Sequence, residues 1–561
     1  MTTNIEPEVQ PTLSSNRQIN ELLNDVVGRL KEYTEDQVSH LNKLAKIGVA
    51  LSATRNLDQL LEMIVDEARS FTGADGGTLY LRTDDETALR FSVIQNETLG
   101  TRMGGVTGAP INWPPVPLKI EGKPNNQNVS AYAANSGDLV DIPDVYEAPG
   151  FNFEGTRKFD ASTGYRSKSM LVVPMRDHEG EIIGVLQLIN ARDQDTGEVI
   201  PFAHEYRELT AALASQAAIA ISNARLIHDV QVLFDSFIQA IAQAIDEKSP
   251  YTGGHISRVA NLTMEIANKI NAATEGPFAK IHFTDDELYE LRLAAWLHDT
   301  GKITTPEYVV DKRTKLETIF DRMELVRMRF ELAKAEATIK ALQYQVTTGK
   351  KDETATEEPV SATDAAAEIS RLDEEFAFVS GCNATQEFVR DEVIARLDAI
   401  ATETVETAKG VEPMLTPDEL YNLHIRKGNL TNEERKIIEN HATMTIKILE
   451  KLPFPKKIKN VPYIAGAHHE KLSGRGYPLG LKAEQINLQA RIMALADIFE
   501  ALTARDRPYK QPKKLSECIK ILGFMMKDLE LDTDVVQFFL DNKMHIEYAR
   551  QHLNPDQIDV E

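Results

Sequence analysis

Two histidines stand next to each other at positions 468 and 469, directly before an acid and a glycine-rich run, in the stretch AHHEKLSGRGYPLGL (467–481). A second adjacent pair of possible metal ligands, His298 and Asp299, lies in HDTGK (298–302). Side chains of neighbouring residues on a helix diverge by about 100°, which still lets both reach one metal cluster near a helix end. Both pairs are therefore candidates for a shared metal site.

Further histidines and acids lie on helical stripes with apolar or small side chains, which predicts that they point into the protein. The candidates and their stripes are His255 with Val259 and Leu262, His298 with Leu288, Leu291 and Ala295, His441 with Ile437, Met444 and Ile448, and Asp497 with Ala490, Ala494 and Ala501. A buried carboxylate is costly unless it is paired or bound to a metal. One such residue alone would more often be structural, but the whole set predicts metal binding.

Imidazole and carboxylate ligands together suit Fe, Mn, Ni, Zn or Co. The set contains more ligands than one ion needs, and a carboxylate such as that of Asp299 can bridge two ions. We therefore infer a binuclear metal centre from the residues themselves.

Composition excludes several classes of function. The chain of 561 residues has a formal net charge of −24, so phosphate polyanions and anionic membrane surfaces would be repelled. A small anionic ligand held by local Arg, Lys or metal remains compatible with this charge. No apolar run approaches the roughly 20 residues that span a bilayer, and the two cysteines, Cys382 and Cys518, suit a reducing compartment. We expect a cytoplasmic protein that binds neither membranes nor nucleic-acid polymers.

The pattern of apolar residues changes along the chain. Residues 16–70 have helical spacing, whereas 76–82, 169–175 and 181–190 are short β-rich runs, the last two joined as a hairpin. A long helical stretch then runs from about Phe202 to Ile245. We predict an N-terminal tail and helix (1–49), an α+β domain (50–228) and an all-α domain (229–561).

Residues 312–416 interrupt the helical domain. Two runs with one apolar seam each, 316–330 and 369–379, flank a polar segment at 347–364. This pattern predicts an inserted helical hairpin. It is either a passive insertion or an arm for dimerisation or docking, and the second is favoured because an isolated hairpin would bury too little of its seam.

The α+β region resembles a GAF domain, on its strand order and on TGYRSKSMLVVPMRDHEGEIIGVLQLIN (163–190). The resemblance implies a sensor or dimerisation domain that binds an unknown small molecule or none. Asn190 is followed by Ala191 instead of the signature of cyclic-nucleotide-binding members, and the absence of cysteine from residues 50–228 excludes a thiol-linked bilin in this domain.

The helical region resembles the HD-GYP family, the metal-dependent phosphodiesterases of bacterial cyclic di-GMP. The resemblance rests on YTGGHISRV, HDTGKI, GNLTNEERKIIENH, AHHEKLSGRGYPLGL and ARIMALADIFEALTARDRPYK, in that order. It implies hydrolysis to pGpG or GMP at two divalent transition metals, most often Fe or Mn. The metal ligands implied are His298, Asp299, His441, His468, His469 and Asp497, with His255 as a further candidate.

The same resemblance assigns catalysis to Asp299 and Lys302, and substrate binding to Arg507, Lys510, Gly476, Tyr477 and Pro478. From the long helix that leaves the GAF-like region with little Gly or Pro, we predict a homodimer in which that region controls the metal site, with signalling proteins as possible partners. Two rivals differ in class. An HD-type nucleotidase would need neither the paired histidines nor the Gly-Tyr-Pro loop, and a catalytically weak cyclic di-GMP sensor would be expected to lack a ligand or Lys302.

Overall fold

The computed structural model describes residues 16–54, 56–193, 195–248, 253–348, 362–384, 388–504 and 513–560. The chain divides into two compact units, residues 1–233 and 234–561. Within the described ranges, no helix is long and apolar enough to cross a membrane.

An antiparallel sheet forms the centre of the first unit. Its strands are β1 (Ala74–Arg82), β2 (Ala88–Asn96), β3 (Thr101–Gly104), β4 (Val116–Pro117), β7 (Val140–Ile142), β8 (Met170–Arg176), β9 (Ile182–Arg192) and β10 (Val199–Ile200). Two short strands, β5 (Lys119–Ile120) and β6 (Lys123–Pro124), form a separate pair. The strand order is β3-β2-β1-β9-β8-β7, with β4 beside β2 and β10 beside β9. The predicted hairpin is β8–β9, and its turn places Gly180 at a φ of 87°, which glycine adopts without strain.

Five helices accompany the sheet. They are α1 (Arg17–Ala53), α2 (Leu57–Thr72), α3 (Val129–Ser136), α4 (Glu154–Thr163) and α5 (His204–Asp246), the last of which ends in the second unit. One core cluster joins α1, α2 and α5 to the sheet, and a second joins α3 to it. The helical spacing predicted over residues 16–70 forms two helices, because α1 ends at Ala53 and Asn56 caps α2 by accepting from the Gln59 N–H at 2.9 Å.

The second unit is mostly helical. Its elements are α6 (His255–Asn271), α7 (Asp285–Leu297), α8 (Glu307–Val310), α9 (Met323–Thr348), α10 (Ala362–Asn383), α11 (Asp391–Ala401), β11 (Thr404–Thr407), β12 (Gly410–Pro413), α12 (Pro417–Leu423), α13 (Asn432–Leu449), α14 (Val461–Gly466), α15 (Leu488–Thr503), α16 (Leu515–Lys527), α17 (Thr533–Asp541) and α18 (Met544–His552). A 3₁₀ turn (Thr300–Thr304) follows α7 and packs on α13. The largest core cluster joins α6, α7, α14 and α15 with the C-terminal helices.

The insertion forms the expected helical hairpin from α9 and α10, and it contains more than that hairpin. Helix α11 and the β11–β12 hairpin close over the seam, giving the insertion its own apolar core around Phe330, Leu372 and Leu397. The first helix begins only at Met323, so Ile319 lies outside it and is exposed. The unburied seam that favoured a docking arm is thus largely covered within the insertion itself.

Candidate metal centre

The HDTGK segment lies where α7 gives way to the 3₁₀ turn. Its backbone is fastened to α13 by Thr445, whose hydroxyl donates to the His298 carbonyl at 2.9 Å and accepts from the Gly301 N–H at 2.9 Å. A Cβ on Gly301 would lie 1.9 Å from the carbonyl oxygen of His441. Glycine is therefore required here, because only a bare Cα lets the turn approach the ligand-bearing helix so closely.

The remaining ligand candidates come from four further segments. His441 lies in the middle of α13, His468 and His469 directly follow α14, Asp497 lies in α15, and His255 is the first residue of α6. All of these side chains are buried except that of His469, which is partly exposed. The five segments that carry them converge on one place in the second unit.

The nitrogen and oxygen atoms of these residues form two groups. His441, His468 and His469 make one, and His255, His298 and Asp299 make the other; within each group the ligand atoms lie within 4.8 Å of one another. Each group has the spacing that a bound metal ion requires.

Two carboxylates connect the groups. Asp299 Oδ2 lies 3.3 Å from His298 Nε2 and 3.6 Å from His255 Nε2, while its Oδ1 lies 3.5 Å from His441 Nε2. Asp497 similarly places Oδ1 3.3 Å from His255 Nε2 and Oδ2 3.9 Å from His469 Nδ1. Each carboxylate thus turns one oxygen toward each group, as a bridging ligand would.

The hydrogen bonds of three histidines prepare them as ligands. The Nδ1 atoms of His298, His441 and His468 each contact the carbonyl oxygen three residues earlier, at 2.8 Å for His298 and 2.6 Å for His468. In the neutral ring this places the proton on Nδ1 and leaves a lone pair on Nε2. Burial opposes a charge on His298, yet Asp299 raises its pKa, so a metal bound at His298 Nε2 would have to displace a proton. The three Nε2 atoms are buried without a hydrogen-bond partner among the described residues. Buried polar atoms of this kind need a partner, so this donor set fits a metal ion.

Charge at the site agrees with metal binding. Burial lowers the pKa of His441, lowers that of His468 well below its usual range, and lowers that of His469 to about 4. Burial would raise the pKa of Asp299, but Lys302 and His298 hold it well below its usual range. Near neutral pH the first histidine group is neutral and Asp299 is ionised, which are the forms that bind metals.

His255 has a different environment. Its Nδ1 contacts the carboxylate of Glu500, which also accepts from Arg258 Nε at 2.7 Å. Burial opposes a charge on His255, yet Glu500 and Asp497 raise its pKa to about 10. A metal bound at Nε2 would have to displace that proton, and Glu500 would then orient the ring through Nδ1.

The predicted catalytic lysine lies beside this cluster. Lys302 Nζ donates to Asp299 Oδ2 at 2.5 Å, and its side chain is partly exposed. Arg507 and Lys510, predicted to bind substrate phosphates, lie outside the described residues, so their placement stays a prediction.

The Gly-Tyr-Pro loop lies against the paired histidines. The Tyr477 N–H donates to the His469 carbonyl at 3.3 Å, and the two rings have centroids 4.8 Å apart. Gly476 is pressed onto the start of the loop, since a Cβ there would lie 2.5 Å from Glu470 Cα. The loop containing Gly476, Tyr477 and Pro478 therefore borders the metal centre.

The end of α5 contacts two elements of the same site. Asp246 Oδ2 accepts from the Ile256 N–H at 3.2 Å, at the start of the helix that carries His255. Lys248 Nζ donates to the carbonyl oxygens of Lys302, Ile303 and Thr305 at 3.0, 2.9 and 2.6 Å. The last residue of α5 thus supports the start of α6, and Lys248, two residues beyond the helix, supports the turn that carries Lys302.

Sequence reasoning missed several residues that hold the site together. Glu500 lies three residues after Asp497 and Thr445 lies four after His441, so each shares a helix face with a predicted ligand. Polar residues at those spacings were a usable signal. The tight packing of Gly301 leaves no such trace in the spacing, because its cause lies in a helix about 140 residues further along the chain.

Comparison with known families finds the same two kinds of domain, in the same order, as the sequence analysis predicted. The GAF domain family matches residues 56–221, and HD domain families match residues 252–375 and 395–535. The chain therefore carries a GAF domain followed by an HD domain, which confirms the two resemblances predicted at the level of domains. An HD domain implies a divalent metal cofactor, and the donor set described above fits one.

Two curated relatives are named as phosphodiesterases of cyclic dinucleotides. A protein of Vibrio cholerae named 3'3'-cGAMP-specific phosphodiesterase 3 is 42% identical over 98 residues, covering 17% of this chain and 20% of that protein. A protein of Thermotoga maritima named cyclic di-GMP phosphodiesterase is 38% identical over 116 residues, covering 21% of this chain and 31% of that protein. The chain thus spans less than a third of the length of these relatives.

Among solved structures, the GAF domain from an Acinetobacter phosphoenolpyruvate-protein phosphotransferase is similar at 14% identity and a TM-score of 0.25. The match covers 34% of this chain and 98% of that one.

Proposed function

We propose that this protein is a signalling phosphodiesterase that hydrolyses cyclic di-GMP at a centre of two divalent metals. The observation that carries the proposal is the arrangement of two ligand groups joined by Asp299 and Asp497, each with one oxygen toward either group. The names of the relatives support the reaction class.

In this proposal, His441, His468 and His469 would hold one metal and His255 and His298 the other, with Asp299 and Asp497 available as ligands to both. Fe or Mn is the first expectation, and Ni, Co or Zn also fits such ligands. Ions of this type generate a nucleophile from water at neutral pH and polarise phosphoryl oxygens.

The remaining residues act on the substrate. Lys302, held beside Asp299, supplies a positive charge for the phosphoryl oxygens or a proton for the departing 3′ oxygen. Tyr477 and Pro478 are proposed to border the bound substrate beside His469, and Gly476 lets this part of the loop fold closely. Arg507 and Lys510 are proposed to bind the second phosphate, with Arg507 acting through a bidentate fork.

The GAF domain is proposed to regulate this activity within a homodimer. Helix α5 carries exposed apolar residues at spacings of four, three and four: Leu226 (62% exposed), Val230 (56%), Leu233 (70%) and Phe237 (61%). Such an a/d seam is typical of a helix that pairs with a second copy of itself. Pairing of two α5 helices would couple the α5 end and Lys248 of one copy to those of the other, so that the two metal sites respond together.

The direct test is hydrolysis by protein purified without air, with metal content measured on the same sample. We expect about two transition-metal ions per chain and release of pGpG or GMP from cyclic di-GMP. The cyclic GMP-AMP dinucleotide belongs in the same assay, because a relative is named for it. Two metals and tight binding without hydrolysis would replace the enzyme with a cyclic di-GMP sensor acting through partner proteins.

A further inference from the structure

Glu470 directly follows the two histidines and reaches under the loop that comes after them. The residue is 4% exposed. Its Oε1 accepts from the N–H groups of Leu479 at 2.6 Å and Gly480 at 3.1 Å, and its Oε2 accepts from that of Leu481 at 2.8 Å. Hydrogen bonds to an ionised acceptor are about twice as strong as neutral ones, so three of them hold the far end of the loop firmly.

The near end of the loop is fixed to the same segment. Gly476 packs on the backbone of Glu470 and Lys471, where a Cβ would lie 2.3 Å from the Lys471 nitrogen. A β-bridge between Ser473 and Lys482 closes the base of the loop. The loop is therefore folded around one buried carboxylate, which is joined through a single peptide bond to the ligand candidate His469.

Glu470 does not belong to either group of metal-ligand candidates, and both of its oxygens are used by the loop. Its side-chain hydrogen bonds go to the backbone of residues 479–481, which directly follow Tyr477 and Pro478 in the chain. A change at Glu470 should thus alter the loop beside the metal centre while leaving the histidines and aspartates in place.

We propose that Glu470 is a positioning residue that sets the loop 474–481 for recognition of the nucleotide beside the metal centre, and so determines preference for a cyclic dinucleotide over a small phosphodiester. This inference rests on the proposed phosphodiesterase function. Loop placement contributes to binding a large substrate with a base, whereas a small diester meets only the metals and Lys302.

The test compares Glu470→Gln with the parent protein on cyclic di-GMP and on bis(p-nitrophenyl) phosphate. The amide keeps the shape of the side chain but turns one of the two acceptors into a donor. We expect the KM for cyclic di-GMP to rise about tenfold, the loss typical of one charge-assisted hydrogen bond. The metal content and the kcat/KM for the small diester should stay within about twofold of the parent values.

Glu530→Gln is the matched control. Glu530 pairs at 2.5 Å with Lys471, which follows Glu470 in the chain and precedes the loop 474–481. It should leave the KM for cyclic di-GMP unchanged. Gly476→Ala disturbs the same loop from its other end and should raise that KM too, so the test survives a misfolded Glu470 variant. Equal losses on both substrates, or no loss on either, would overturn the proposal.

Failure of the underlying function is seen separately. If the parent protein binds cyclic di-GMP but does not hydrolyse it, the phosphodiesterase proposal fails and calorimetry decides the role of Glu470. A Kd weakened about tenfold in Glu470→Gln then supports the positioning role, and an unchanged Kd overturns it. A parent protein that binds no cyclic di-GMP overturns both.

Discussion

Asp299 directs one oxygen to each ligand group, so its loss should disturb both metal positions at once. We expect Asp299→Ala to abolish hydrolysis and to lower the metal content sharply. Elemental analysis and a cyclic di-GMP assay measure the two effects. Asp286→Ala is the control, since that carboxylate pairs with Lys457 at the protein surface. Full metal occupancy with retained activity in Asp299→Ala would contradict a binuclear centre bridged by this residue.

Lys302 differs from Asp299 because its amino group is proposed to supply a positive charge and hydrogen-bond donors to the substrate, and not to bind a metal. Replacing Lys302 with Ala should leave the metal content intact and lower kcat by roughly 10²–10³, the usual cost of removing one charge-stabilising donor. Metal analysis beside steady-state kinetics checks this, and Lys302→Arg should recover part of the rate by keeping the positive charge. A variant that loses its metals would show that Lys302 serves to hold Asp299 in place.

At the scale of elements, the approach of the 3₁₀ turn to α13 sets the geometry of the HDTGK segment. Gly301→Ala puts a methyl group 1.9 Å from the His441 carbonyl oxygen and should cost at least about 2 kcal/mol of stability. Gly523→Ala in α16 meets no atom within 4 Å and should raise stability by about 0.5–1 kcal/mol. Urea denaturation of the metal-free proteins, followed by circular dichroism, distinguishes the two. Equal effects of the two changes would show that the turn can move away from α13.

The sequence predicted the secondary-structure elements better than it predicted the contacts between them. Inward stripes on α6, α7 and α15 were readable from spacing alone, since burial of one helix face imposes that period. On α13 the prediction holds for His441, but Ile437 of the same predicted stripe is exposed. The break at Ala53 and the cover that α11 and β11–β12 give the insertion were not predicted, because both depend on local capping and on packing between distant segments. Glu470 was visible as an acid after His469, but its bonds to residues 479–481 follow from a loop fold that no periodicity encodes.

At the scale of the whole molecule, the exposed seam of α5 predicts an assembly of two copies. Changing Val230 and Leu233 together to Glu should make the protein monomeric, because two charges in each helix would face each other across the seam. Light scattering after size exclusion measures this. Changing Gln231 to Glu, a neighbouring position off the seam, is the control and should leave the oligomeric state unchanged. A dimer that survives the double change would place the interface elsewhere.

The continuity of α5 also makes its register testable. Inserting four residues after Asn223 turns the rest of the helix by about 40°, whereas seven residues nearly restore its phase. This rotation should displace Asp246 and Lys248. Because Asp246 supports the start of α6 and Lys248 supports the 3₁₀ turn that carries Lys302, the hydrolysis rate should change. The seven-residue insertion should behave more like the parent. If both variants match the parent rate, α5 is a plain spacer.

The ligand residues are spread along the chain from His255 to Asp497, on both sides of the insertion. About 200 residues separate Asp299 from Asp497, which takes a ribosome roughly 10–40 s to synthesise at 5–20 residues per second. Throughout that interval the nascent chain holds an incomplete set of ligands. The complete proposed centre can therefore form only after Asp497 has been synthesised, and the metals available from that moment on would decide which ions it takes up.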